Sequence, residues 1–276
     1  MAKAKQHLSV PLLSPYAIKL AELCAIDLWH GVDYETGKTM DASDDELLLT
    51  FYMPLKRMYL RGTAANTIVE DDVRLIIKQG KLKALYRSHL PLDFNKGLSA
   101  IKTHCLPTYK GWRNGTMQLT PTGYATKTAL DLGISFVQTT KAPTTNGNYR
   151  VPLATRILFY AMPDMLMFNY SNALGKALNL QSRPQSAVSF FFEIMNVGLN
   201  TNAKELSKLK MPPSGFLSHD DWSRVKQHGW WERRVLDLAL MIHFRLTTPR
   251  ILLQRRARQL VNASTSKKVK SKKKIP

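Results

Sequence analysis

The sequence is poor in cysteine, in acid and in long apolar runs, and each shortage removes a class of protein. Its two cysteines, Cys24 and Cys105, stand far apart and outside any CxxC. This argues against a disulfide framework, and a reducing compartment fits best. The most apolar stretches, Leu47 to Leu60 and Val235 to Phe244, are too short or too interrupted by charge to span a bilayer. The opening MAKAKQHLSVPLLSP has neither a long apolar segment nor a small-residue cleavage signal. The expected location is cytoplasmic, associated with the nucleoid, with no membrane partner. There is no internal repeat, no HExxH, no zinc-spaced Cys/His set, no Walker A and no GxSxG. Neither a metal nor a cofactor is expected.

Acid is the most telling shortage. Forty Lys and Arg face twenty Asp and Glu, for a net charge of +20 and a pI near 10. After Asp237 there is no acid at all, and Arg245 to Pro276 carries +11, leaving +9 on the rest. A surface of that sign repels itself and attracts polyanions, so nucleic acid, DNA above all, is the expected partner. Loss of the tail should weaken such binding without abolishing it, because the body is basic without it.

With 44% hydrophobic residues the chain can bury a core. Helix signals dominate. Pro15 to Trp29 is apolar at helical spacing and ends at His30-Gly31. Ser43 with Glu46 forms a capping box ahead of Leu47, Leu48 and Phe51, and Thr67 with Glu70 repeats the signal. Pro54 predicts a kink or break. Pro152 opens an almost wholly apolar helix that ends at Pro163, interrupted only by Thr155 and Arg156. Ser171 and Ser218 can cap later helices. Ala187 to Leu199 is a further apolar stretch. Trp230 to Phe244 has its acid, Glu232, near the start and His243 and Arg245 near the end, which suits the helix dipole. Strand signals are few and short, Ile134 to Val137 being one. The fold class predicted is all-α, in four segments: a helical lobe over 1–102, an irregular linker or functional loop region over 103–150 with room for a short helix over Thr120 to Gly133, a second helical lobe over 151–245, and a basic helix with a disordered lysine tail over 246–276.

Three places carry candidate nucleic-acid contacts. The tail SKKVKSKKK supplies Lys267, Lys268, Lys270, Lys272, Lys273 and Lys274, read either as a phosphate-binding arm or as a solubilising end. Before it, RILLQRRARQL places Arg255, Arg256 and Arg258 on a basic amphipathic helix, suited to a phosphate backbone or an anionic membrane surface; no lipidation signal supports the latter. In the irregular segment, Lys110, Trp112 and Arg113 interleave cations with an aromatic, so that Trp112 is either a base-stacking site or a core anchor. Lys141, Asn148, Tyr149 and Arg150 precede a helix start, where backbone N–H groups can meet a phosphate. The dipeptide His104-Cys105 reads as structural. The acids Asp44, Asp45, Glu46, Asp220 and Asp221 are accounted for by helix N-termini. Trp230-Trp231 reads as core.

The stretch TTNGNYRVPLATRILFYAMPDMLMFNYSNALGKAL, Thr144 to Leu178, places a Gly-containing hairpin before an apolar helix that ends in proline, and a polar cluster then opens another helix. This resembles the helix-hairpin-helix DNA glycosylases, in particular bacterial proteins of the 8-oxoguanine glycosylase fold. The segment WWERRVLDLALMIHF looks like a terminal helix of such proteins, and the resemblance covers roughly a hundred residues. It implies two helical lobes with DNA across the cleft, a phosphate on the hairpin amides and a damaged base flipped into a pocket. It also implies a catalytic Lys at the end of the hairpin and an Asp at the start of the next helix. The Lys position falls at or near Arg150, and the Asp position falls on Asn169 or Tyr170. Arg stays protonated, and neither Asn nor Tyr is a carboxylate. Asp164 is the nearest acid and lies earlier in the chain. Asp164, Asn169 and Tyr170 are thus the catalytic candidates. The expectation is a DNA-binding protein on a glycosylase-like scaffold without the lyase chemistry. Its rivals are an active glycosylase for a modified or damaged base, and an RNA- or protein-binding subunit of a larger assembly. The resemblance further suggests genome defence or a mobile element.

Overall fold

A computed structural model describes residues 10–62, 67–79, 82, 92–116, 120–136, 151–180 and 184–272, the side chains of 184–186 and 265–272 apart. The described chain is helical, as its composition predicts. No strand forms among these residues, and Val32 and Thr39 pair in an isolated antiparallel bridge.

The first helix, α1 (Pro15–Trp29), starts on Ser14, whose hydroxyl accepts from the Ala17 N–H. Helix α2 (Asp44–Arg61) opens with the predicted capping box: Glu46 N–H donates to Ser43 Oγ at 3.1 Å, and Ser43 N–H donates to Glu46 Oε2 at 2.7 Å. It passes through Pro54 without ending, and stops at Gly62, which takes the left-handed conformation (φ +71°) a C-terminal glycine supplies without strain. Helix α3 (Glu70–Gln79) does not use Thr67. Its first turn is closed by Asp72, which accepts from Val69 N–H at 2.9 Å.

The described residues of the segment 103–150 are largely helical. A helix α4 (Phe94–Ala100), a π-helical turn (Ile101–Cys105) and α5 (Leu106–Arg113) form one continuous rod, followed by α6 (Pro121–Ser135), capped by Thr120. Pro121 falls in a first turn, where a missing N–H costs nothing, and Pro107 follows directly on the π-helical turn within the rod. Ile134 to Phe136 belongs to the end of α6, not to a strand. Gly97 sits so close to the buried Phe136 ring that an added Cβ would lie 2.3 Å from it. Gly97→Ala should destabilise the fold by about 1–3 kcal/mol through overpacking. A urea melt superimposable on that of the wild type would refute this.

Helix α7 (Val151–Ala161) is the central strut, buried nearly throughout as its sequence predicts, and it packs on α2 and α6. The remaining helices are α8 (Asn172–Ala177), α9 (Pro184–Thr201), α10 (Ala203–Leu206), α11 (His219–Gln227), α12 (Trp230–His243) and α13 (Ile251–Lys272). Ser171 and Ser218 cap α8 and α11 as expected. Helix α1 packs against α12 and α13, and α6 against α9. All four predicted segments contribute to one cluster of buried hydrophobic residues, from Val10 to Ala257. Trp29, Trp230 and Trp231 meet at its centre, Trp29 edge-on to both others at 6.0 Å.

The tail differs from expectation. Helix α13 continues through Ser266 to Lys272, residues read as disordered. Neither glycine nor proline interrupts the sequence from Ile251 to Ile275, and lysine is a good helix former. Backbone propensity therefore carries the helix onward despite repulsion among its charges.

Candidate functional site

Polar side chains inside the helical body define three places. The first is a buried ion-pair centre on α12. Asp44, fully buried at the start of α2, accepts from Arg234 Nε at 2.8 Å and Nη2 at 3.2 Å, from Tyr160 Oη at 2.7 Å, and from Gln79 Nε2 at 3.0 Å. Burial, then the Asp44 charge, push the Tyr160 hydroxyl above its usual range. Next to Arg234, Arg233 is also buried. It donates to the carbonyls of Met165, Pro163 and Met167, the last at 3.1 Å. One guanidinium thus fastens the irregular segment 162–170 to α12.

The second is a polar chain running from α2 to α11. Lys56 pairs with Asp221 Oδ1, Tyr52 donates to the same oxygen at 3.2 Å, and Arg113 Nη2 donates to Tyr52 Oη at 3.3 Å. Arg113 also pairs with Asp164 Oδ2 at 3.2 Å, and Arg224 Nε meets that oxygen at 2.9 Å. Burial raises the Asp221 carboxyl, but the Lys56 and Ser218 hydrogen bonds outweigh it and the net shift is downward. Burial beside Asp221 pushes the Tyr52 hydroxyl up to about 12.

The third is a cavity of about 500 Å³ between α1, the 33–40 loop, α7, the 169–173 segment and α12. Its polar lining includes Arg156, Asn169, Tyr170 and Asp237, and its apolar lining includes Leu28, Met40, Leu238 and Met241. Burial raises the Asp237 carboxyl, against the pull of Arg234 and Arg156 and a weaker contribution from the Asn169 amide nearby. Asn169 is 2% exposed, and its amide stands beside the Asp237 carboxyl without either atom reaching hydrogen-bond geometry. The size is that of a small-ligand site.

These places sort the sequence candidates. Asn169 and Tyr170 converge on the cavity. Asp164 does not: its side chain is sealed from solvent and paired with two arginines, so it is not placed to activate water. Arg113 is not free for a phosphate, because its guanidinium serves Asp164 and Tyr109 and lies over the Tyr59 and Tyr109 rings. Trp112 is half-buried against the core, and Lys110 is exposed. Arg255, Arg256 and Arg258 are exposed on α13, Arg258 lying over the Tyr16 ring. Lys267, Lys268, Lys270 and Lys272 lie on the α13 backbone with side chains outside the described residues. Lys141, Asn148, Tyr149, Arg150, Lys273 and Lys274 lie wholly outside them, as does the rest of the predicted hairpin.

Three acid assignments change. Asp44 and Asp221 do stand in first turns, but their burial and their partners make them tertiary ion-pair anchors. Asp45 likewise accepts from Ser214 Oγ and from Gly215 N–H at 2.7 Å. Sequence reasoning missed Asp237 and Arg234. The available signal was a set of charges at apolar positions of a core helix, where an unpaired charge is too costly to persist.

Comparison with protein-family models, with curated proteins and with solved structures yields no match to this chain. Among the described residues no cluster of His, Cys, Asp and Glu could hold a metal ion, and no helix is long and apolar enough to cross a membrane.

Proposed function

We propose that the protein binds nucleic acid, DNA by preference, chiefly through α13. One observation carries this reading. Helix α13 has no acidic residue and seven Arg and Lys over 22 residues, and among its described residues only Leu253 and Ala257 are buried. At 1.5 Å per residue it is a cationic rod roughly 33 Å long, close to one turn of duplex. It is fixed at its base by Arg250, which pairs with Asp27 Oδ2 at 2.5 Å. A pre-formed helix pays its ordering cost before binding, which favours the complex.

A second reading, hydrolysis of a glycosidic bond at a modified or damaged base, is favoured by the convergence of Asn169, Tyr170 and Asp237 on one cavity. There Asp237 would be the acid in place of the aspartate that the glycosylase resemblance leads one to seek at Asn169 or Tyr170.

Binding of the full chain to duplex, single-stranded and base-modified DNA across a salt series tests both readings. Replacing Arg255, Arg256 and Arg258 together with Gln should flatten the dependence of log affinity on log salt by about 0.9 for each duplex phosphate that α13 no longer neutralises. An unchanged slope and affinity would remove α13 as the nucleic-acid surface. Release of free base in the same tubes would add the enzyme reading, and its absence on every modified substrate would discard it.

A further inference from the structure

We propose that the cavity beside α7 is a binding site for a small oxyanion ligand, a carboxylate or a phosphate, held by Arg156 and Asn169. The proposal does not rest on α13. Its basis is the pair of unpartnered groups that the cavity gathers. Arg156 stands on the otherwise apolar helix α7. Its Nε is buried without a hydrogen-bond partner, and the nearby Asp237 carboxyl, which lines the same cavity, acts on it without forming an ion pair. Asn169, from the segment after α7, is buried beside the Asp237 carboxyl, with neither amide atom in hydrogen-bond geometry. Both residues line the cavity.

Leaving one such group unmade costs about 1–3 kcal/mol, and an uncompensated charge costs more. Buried groups of this kind are met by ordered water or by a ligand. Several features favour a ligand. The neighbouring cation, Arg234, is committed to Asp44, so it neither needs nor supplies a partner in the cavity. Arg156 is therefore the guanidinium left over. Its charge is disfavoured first by burial and next by Arg234, with Asp237 only partly offsetting them. A guanidinium presents N–H groups in a planar fork, the geometry that carboxylate and phosphate oxygens accept. The Asn169 amide adds a donor for the same oxyanion and an acceptor for a hydroxyl or amine next to it. Leu28, Met40, Leu238 and Met241 offer apolar contact to the rest of the molecule.

Isothermal titration of the full chain tests this with inorganic phosphate, benzoate and a deoxynucleoside 5′-monophosphate, alongside benzamide and the uncharged nucleoside. The expected result is saturable one-to-one binding of at least one oxyanion. That binding should be at least tenfold tighter than for its uncharged counterpart, and Arg156→Gln should weaken it at least tenfold. The triple Gln variant of Arg255, Arg256 and Arg258 should leave it unchanged, which separates this site from α13. Preference for the monophosphate over free phosphate would identify a nucleotide source, and the reverse a free ion; either supports the site. No saturable binding, equal affinity for the uncharged counterparts, retention in Arg156→Gln, or loss in the α13 variant overturns the proposal. If Arg156→Gln does not fold, the comparison of charged with uncharged probes on wild type and on the α13 variant still decides it.

Discussion

Arg233→Met is expected to destabilise the protein by about 2–5 kcal/mol in urea unfolding. The reason is the number of acceptors that depend on one side chain. Arg233 is 1% exposed, and its guanidinium serves the carbonyls of Pro163, Met165 and Met167 in a segment with no helix of its own. Methionine keeps the apolar stem and removes every donor. Two effects then oppose each other. Removing a buried charge returns its desolvation cost, which burial already registers by lowering the Arg233 pKa. Against this, the Pro163 and Met167 carbonyls lose their partner at about 1–3 kcal/mol each, while Met165 keeps the Met167 N–H at 2.8 Å. Two such losses, with the loss of the tether between 162–170 and α12, exceed the single gain, so destabilisation wins. The loss is also local: amide exchange should accelerate first over 162–170, the segment that carries Asp164, Asn169 and Tyr170 toward their neighbours. A variant within about 0.5 kcal/mol of wild type, with unchanged exchange, would show that the carbonyls find other partners.

Asp44→Ala should cost about 3–5 kcal/mol, because it strands a buried arginine. Arg234 has a side-chain exposure of 5%, and its bidentate contact with Asp44 is the only ion pair it makes among the described residues. The same substitution also strips acceptors from Tyr160 and Gln79. The double variant Asp44→Ala, Arg234→Met separates the causes. It removes the stranded charge, so its cost should fall well below the sum of the two single losses. Strict additivity in the cycle would mean that the two groups do not act as a pair.

The helical class and several helix starts were legible in the sequence, because they depend on neighbours three or four residues away. Ser43 with Glu46, Ser171, Ser218 and the apolar run of α7 are all local signals, and each is present in the fold. The short helix expected over Thr120 to Gly133 is present as α6, whereas α5 was not foreseen, because the prolines and glycines around it are turn formers by composition alone. Pro121 is compatible with helix because it falls in a first turn, Pro107 follows on the π-helical turn, and just upstream Gly97 is needed because the Phe136 ring presses on it. The tail was misread for the converse reason: its charge argued against order, while its lack of helix breakers lets α13 continue.

The candidate site was less legible. Asn169 and Tyr170 emerged from a resemblance and Arg156 as an exception in an apolar helix, but nothing in the spacing joined them to Asp237, some seventy residues away. Composition and short-range periodicity suffice for the net charge, the all-helical class, the caps and the acid-free C-terminal helix. Which charges are neutralised and which are not follows from how the helices pack. Asp44 and Arg234, Asp164 and Arg113, Asp221 and Lys56 neutralise one another across long separations, while Arg156 and Asn169 face a cavity beside Asp237 without a hydrogen bond or ion pair to it. That outcome depends on which helices pack together, and hence on the core they share.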